Sequence, residues 1–524
     1  MLKTASARST VSALPLPLMV IPAIITMTAI VIIFGAILIQ NNSFFTYTLD
    51  DPYIHLALAE NITRGHYGVN ENEFSSPSSS IVWPFLLAIF GANPFAPLVI
   101  NIIVTGCFAL LLPRTIQVAL NLSNTKTDHV IILFLSLLII FTTNIIGLAF
   151  TGMEHSLQVL CTLLIAYGLI IYARYHRLPA WMPIALVMAP LVRYENLAIS
   201  LLVALFLVIQ GKRWHGLAVI ALIGILVGGF SLFLMSLGLA PLPASIIVKS
   251  TTQLSQSEVN SILLNIVVSV FTRPGLLVLS LLLLIVTGVF LSIIDSAKKP
   301  VAFVAILAIL AHMMFGKYGA YSRYEIYLLI FTIVMIIYLF DATIMRLFQR
   351  HKIVNVALVL TLWTTTIFGS WYIKTVFSTP LAAANIYQQQ YQMHRFVTEY
   401  YRQPVAVNDI GYVSYHNNHY VLDLWGLSSY ETLLRYYKQP DWLATIVRDY
   451  DIKLVMVYED EFNIPKQWFK VGELRLGVPQ ISAAGSRVSF YATEREAIDG
   501  IYVALQRFVP TLPRDATFTF TNIP

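Results

Sequence analysis

Charge is scarce in this chain. Only 11% of its 524 residues are Asp, Glu, Lys or Arg, against about 25% in a soluble globular chain. That shortage argues against an ordinary water-soluble enzyme. Cysteine is scarcer still. Cys107 and Cys161 both lie in apolar runs, so neither a disulfide framework nor a metal-ligand spacing can be built from them. No Walker motif occurs and no GxGxxG follows an expected strand, which leaves no nucleotide-binding signature. No arginine-rich patch interleaved with aromatics accompanies the formal charge of +6, so nucleic acid is not an expected partner. What the chain has is apolar length. It is 57% hydrophobic, in repeated runs of about 18 residues or more that indicate transmembrane helices.

The positive charges order these runs. The first, at 17–39, follows Lys3 and Arg8 and has no obvious cleavage site after it. It reads as a retained helix with a cytoplasmic N-terminus. The adjacent acids Asp50 and Asp51 then fall on the outer face. The run 81–90 is too short to span and ends at "GANP", so it reads as a juxtamembrane helix. Further spans are expected near 95–113, 129–149, 155–173, 179–192, 195–210, 215–238, 274–294, 300–316, 324–341 and 352–373. This register puts Arg114 and Lys126, "RYHR", "GKRWH", Lys298 with Lys299, and "RLFQRHK" inside. The sum is about eleven spans with the C-terminus outside. The pair within 179–210 is short for a bilayer of about 30 Å.

After residue 375 the apolar runs shorten and charge becomes frequent. "PVAVNDIG", "YVLDLWG" and "KLVMVYED" read as short buried strands. They alternate with helical stretches at 384–401, 428–438 and 440–450. The expected architecture is therefore a multispanning α-helical membrane domain at 1–375, with an outer loop at 40–94, and a C-terminal extracytoplasmic α/β domain at 376–524.

Ionisable residues near a bilayer are costly to keep, so each is a site candidate. On the outer side these are Asp50, Asp51, Glu154, Arg193, Glu195, Lys249 and Arg323. Carboxylates suit general-base work on a hydroxyl, and cations suit neutralising a phosphate leaving group. Each has a plainer reading. Asp51, with Pro52 after it, fits a helix start. Glu154 fits a helix-start acid. Arg193 and Glu195 fit a structural ion pair, and Lys249 and Arg323 fit snorkelling cations. His55 lies one turn after Asp51 and makes no metal site by itself. Asn61-Ile62-Thr63 matches the glycosylation triplet, which often arises by chance. In the C-terminal part, Asp409 and Asp423 end strands, where they either line a pocket or form turns.

The loop "DDPYIHLALAENITRGHYGVNENEFSSPSSSIVWPFLLAIFGANP" resembles the catalytic outer loop of the C-type glycosyltransferase (GT-C) superfamily. The nearest branch is the bacterial arabinofuranosyltransferase-like group. The shared features are Asp50, Asp51 and Tyr53, then Asn61, Gly65, Asn70, Ser76, Pro77 and Trp83. "TGMEHSLQ", "VRYENL", "PLPASIIVKS", "SRYEIYLLI" and "NDIGYVSYHNNHYVLDLWGLSS" resemble further segments of that group. Tyr194, Asn196, Ala244 and Ser245 depart from its pattern.

The resemblance implies transfer of a sugar from a polyprenyl-phosphate donor to a glycan, lipid or protein hydroxyl, with inversion. Asp50 and Asp51 are then the catalytic acids, Asp50 favoured as base. Tyr53, His55, Glu154, Arg193, Glu195, Lys249, Arg323 and Tyr324 form the substrate-binding set, with Lys249 and Arg323 facing the phosphate. Some members use a divalent ion and others do not, and the sequence leaves that open. A prokaryotic inner membrane is the implied location. The rival readings are a transporter or lipid flippase, and a non-catalytic scaffold.

Overall fold

The computed structural model describes residues 13–251, 258–350, 352–364, 370–429, 434, 436, 439 and 441–521. Six of its helices are long and apolar enough to cross a membrane: Leu16–Gln40, Ala96–Leu120, His155–Tyr175, Arg213–Ser236, Arg273–Phe290 and Ser296–Phe315. Ile326–Leu339 and Asp341–Arg350 add a seventh if the two, bent by 70°, form one span. These helices mark an integral membrane protein. Lys126–Thr142 has 17 residues. Its start is fixed by a capping box, in which Thr125 Oγ1 accepts the Asp128 N–H and Asp128 Oδ2 accepts the Thr125 N–H.

Among the described residues, length and composition therefore give six or seven spans, short of the expected eleven. The difference is clearest at 179–210. Trp181–Val192 is only 12 residues, or about 18 Å of helix. The backbone turns extended at Arg193 (φ −154°, ψ 132°), and Leu197–Ile209 then resumes for 13 residues. Burying the Arg193 side chain where the helix breaks costs two full spans their length. The run 81–90 forms a helix at Val82–Ile89. The last expected span falls partly on residues 365–369, outside the described residues.

The bend after Leu339 has a polar cause. Asp341 accepts hydrogen bonds from Arg174 (2.6 Å) and Lys298 (2.5 Å), and both cations lie 5.0 Å from the Tyr338 ring. Cys107 and Cys161 are unpaired, one exposed and one buried.

Beyond the membrane helices lies a six-stranded mixed sheet. Its strands are β1 (Val405–Val407), β2 (Val421–Asp423), β3 (Leu454–Val457), β4 (Phe469–Arg475), β5 (Arg487–Ala492) and β6 (Thr517–Phe520), in the order β2-β1-β3-β5-β4-β6. β1 runs parallel to β2 and β3, with Ala406 opposite Leu422 and Val455. The other pairings are antiparallel. The three expected strands are β1 to β3, buried along their whole length, as strands covered on both faces must be. The helical stretch expected at 384–401 is present but broken. It runs as Thr379–Gln388 and Gln390–Arg395, then a π-helical turn at Phe396–Tyr401. Trp442–Asp449 matches the expected 440–450 helix. Most of 428–438 lies outside the described residues.

The polar loop after the first helix holds the parts together. Thr48 N–H donates to Phe150 O (3.0 Å), and Ile81 N–H to Leu191 O (3.0 Å). Ser76 O accepts the Ala244 N–H (2.9 Å), and Thr46 Oγ1 donates to Ala383 O (2.8 Å). Asn70 completes the free edge of β2. Its Nδ2 donates to Val421 O and its Oδ1 accepts the Val421 N–H, both at 3.0 Å. One side-chain amide thus serves the Val421 position of this edge, while Ser429 Oγ accepts the Asp423 N–H at 3.1 Å.

Candidate functional site

The helix Asp51–Thr63 opens with an acid and a proline in its first turn, a start favoured by the helix dipole and by the fixed φ of proline. Asp50 precedes it but does not cap it. Its two carboxylate oxygens accept the backbone N–H groups of Gly411 (2.6 Å) and Tyr412 (2.8 Å). Gly411 is required there, because a Cβ would stand 2.1 Å from the Asp50 carbonyl oxygen. Loss of water around the carboxylate, then the nearby charge of Asp409, push the Asp50 pKa well above the usual carboxylate range; the two N–H groups oppose this.

Asp51 has another partner. Its carboxylate, 40% exposed, accepts Arg323 Nη2 at 2.5 Å. Arg323 is only 6% exposed, and its Nε and Nη1 have no hydrogen-bond partner among the described residues. A cavity of about 230 Å³ opens at this point, with Asp50, Asp51, Arg323, Gln390 and Asp409 in its wall.

Asp409 comes from the end of β1. Its Oδ2 accepts Gln390 Nε2 and lies 2.8 Å from both Gln390 Nε2 and the Tyr458 hydroxyl. That hydroxyl is also 2.6 Å from Gln389 Oε1. Burial holds the Asp409 pKa above the ordinary value, with the hydrogen bonds from Tyr458 and Gln390 opposing.

Tyr324 links this cavity to a second cluster. Its ring lies 5.0 Å from the Arg323 guanidinium and 5.5 Å from that of Arg193. Arg193, 2% exposed, is fully engaged. Nη1 donates to Glu154 (2.5 Å), Nη2 to Glu195 (2.6 Å) and Nε to Glu195 (3.1 Å). His55 Nε2 stands 3.9 Å from Glu154. The turn carrying Glu154 is pressed onto the loop at Gly152 (φ +66°), where a Cβ would meet Pro52 at 2.6 Å.

The structure therefore brings Asp50, Asp51, His55, Glu154, Arg193, Glu195, Arg323 and Tyr324 into one connected polar region. Tyr53 turns away from it. Its hydroxyl accepts the Tyr47 N–H, and its ring packs 3.8 Å from that of Tyr412. The Lys249 side chain lies outside the described residues. Asp423 is a turn former, accepting the N–H groups of Trp425 and Ser428 at 2.8 Å each. Among the described residues, no group of three His, Cys, Asp or Glu is placed to hold a metal ion. Gln390 joins the cavity wall, and Tyr458 backs it through Asp409, both without any sequence signal. Asp409 was one of two strand-end acids, and only its neighbours separate it from Asp423.

Residues 384–491 match a family described as a domain of unknown function (DUF8728). No curated protein matches the chain. Among solved structures, the Archaeoglobus fulgidus oligosaccharyltransferase in its apo form is similar at 10% identity and a TM-score of 0.43, over 82% of this chain and 69% of that one.

Proposed function

We propose that this chain is a membrane glycosyltransferase that takes a sugar from a polyprenyl-phosphate donor and passes it to a hydroxyl on a glycan, lipid or protein acceptor. The observation that carries the reading is Arg323. A buried guanidinium spends one nitrogen on Asp51 and has two donors without a hydrogen-bond partner among the described residues, at a cavity walled by acids. A planar cation with spare donors suits a phosphate leaving group. The loop resemblance supports the same reaction class.

In this proposal a carboxylate removes the acceptor proton, and the acceptor oxygen attacks the anomeric carbon. The bond from that carbon to the phosphate oxygen breaks, and the charge gathering on the phosphate is met by Arg323. A single displacement inverts the anomeric centre. The sequence favours Asp50 as base. The hydrogen bonds move the proposal to Asp51, which is exposed to the cavity, while Asp50 holds the start of the 411–414 turn. Glu154, Arg193 and Glu195 are positioning residues that fix Tyr324. Lys249 is kept as a second phosphate cation and His55 as a substrate-binding residue, while Tyr53, packed on Tyr412, moves from that set to bracing the loop. By the basic segments, the N-terminus is cytoplasmic and the sheet lies outside; the loop resemblance points to a prokaryotic inner membrane.

The test uses the purified chain in nanodiscs with a panel of polyprenyl-phosphate sugars, with and without divalent ions. Release of polyprenyl phosphate that disappears in Asp51→Asn and in Arg323→Ala is the expected result. Release that is unchanged in the Asp50→Asn, Asp51→Asn double variant would sink the proposal and return weight to a transporter or scaffold.

A further inference from the structure

A second cavity, of about 500 Å³, has Asn72, Glu73, Phe74, Leu239, Tyr420 and Tyr450 in its wall. It lies between the outer loop, the end of the Arg213–Ser236 helix and the sheet. Asn72 and Tyr420 also line a smaller polar pocket with Glu60, Arg64, Asn417 and Asn418. Neither cavity contains a residue of the Asp51–Arg323 site.

The aromatic rings here are held in place yet open. Tyr420 and Tyr450 stack at 5.5 Å with 12° between their planes, and the Tyr420 hydroxyl donates to Glu73 at 2.8 Å. Phe74 is 42% exposed. Behind it, the His66 ring stacks at 4.7 Å, and that ring is fixed by contacts from Nε2 to Asn70 O (2.9 Å) and Glu73 O (3.0 Å). Phe74 therefore offers a rigid aromatic face to the cavity beside the stacked Tyr420–Tyr450 pair.

The chemistry around the rings narrows what that is. Sugar rings present C–H faces and hydroxyl edges. Aromatic faces receive the former, and amides and carboxylates receive the latter. The wall supplies both, through Asn72, Asn417 and Asn418 and through Glu73. Its cation carries no spare charge: Arg64 is paired with Glu60 at 2.9 Å and Glu71 at 2.6 Å. An anionic headgroup therefore finds no net attraction. Two adjoining cavities sharing Asn72 and Tyr420 give room for more than one sugar unit.

We propose that these adjoining cavities form a saccharide subsite that binds a neutral oligosaccharide as acceptor, an assignment of the acceptor class that rests on the transfer reading of the Asp51–Arg323 site.

The experiment is saturation-transfer NMR on the full chain in nanodiscs, with a panel of neutral arabinan, galactan, mannan and glucan oligomers of about four to six units as probes. At least one oligomer is expected to bind. Phe74→Ala and Tyr450→Ala should each weaken that binding about tenfold, and Phe74→Trp should restore it. Binding by no oligomer, or binding equal in Phe74→Ala and wild type, overturns the inference. So does loss of bound polyprenyl phosphate in Phe74→Ala with oligosaccharide binding intact, which would assign the cavity to lipid. The transfer reading is scored separately by polyprenyl phosphate release. Release that depends on Asp51 while no oligomer binds overturns the subsite alone. Phe74-dependent binding with no release from any donor upholds a saccharide site and overturns the transfer reading.

Discussion

Arg193 and Arg323 flank the same Tyr324 ring, and both are almost fully buried. They differ in what holds them. Every nitrogen of Arg193 meets a carboxylate oxygen, from Glu154 or Glu195. Arg323 meets one carboxylate and keeps two donors with no hydrogen-bond partner among the described residues. A saturated buried cation is scaffolding. Desolvation has already been offset by neighbours, and nothing is left for a ligand. A buried cation with spare donors leaves that offset incomplete, and an incoming anion completes it. Burial and charge alone do not separate the two roles; the count of satisfied donors does.

The largest effect should follow from breaking the saturated side. Arg193→Met strands the fully buried Glu154 and leaves the half-buried Glu195 without its partner, and a loss of about 3–5 kcal/mol is expected, measured as a fall in the detergent-denaturation midpoint. Arg323→Met should cost much less on the same scale, because Asp51 is exposed enough to be hydrated. Equal losses would erase the distinction. Next comes turnover. Arg323→Ala should slow polyprenyl phosphate release by roughly a hundredfold or more, as loss of a charge-stabilising donor does, with the protein still folded. Arg323→Lys should recover only part of this, since a point charge lacks the planar fork.

A smaller effect concerns the loop's grip on the sheet. Asn70→Ala leaves both polar groups of Val421 unserved on the outer edge of β2, at a cost of about 1–3 kcal/mol. Faster amide exchange at Val421, with the Asp51–Arg323 pair unaffected, is the expected result. Exchange that does not change would mean that the edge is held elsewhere.

The smallest effect is confined to a pH window. Burial lifts the Asp423 carboxyl to about 6, against the backbone N–H groups that favour its charge. A raised folded value means that the folded state holds the proton more tightly. The associated stability is fully present below the ordinary carboxylate value, about 4, and is lost as pH rises through about 6. Asp423→Asn should flatten the stability profile between those limits, and a slope unchanged by the substitution would refute the assignment.

How much of this was legible beforehand depended on whether a residue announced its own cost. Asp51, Glu154, Arg193 and Arg323 did, because a charge at the edge of an apolar run needs a reason. The strands β1 to β3 did, because short apolar runs between polar turns have few other readings. β4 did not. It carries Lys470, Glu473 and Arg475, and both cations pair with the buried Glu473, so a strand that is mostly buried reads in sequence as polar surface. β6 alternates exposed and half-buried residues over only four positions. Gln390 and Tyr458 were silent for another reason. A glutamine in a helix and a tyrosine after a strand are common anywhere, and only the fold brings them to Asp409. The break at Arg193 was visible as two short runs, but their actual lengths follow from where the guanidinium is buried.

The two amides that hold Asp50 are those of Gly411 and Tyr412. Translation delivers the acid early and the amides late. Until the first strand and the turn after it have been made and folded against the loop, the acid pair has only half its frame. A chain that stops short of Gly411 holds every membrane helix described here but lacks the two N–H groups that fix Asp50. The last-made portion of the protein is thus what completes the hydrogen bonds of the first-made portion.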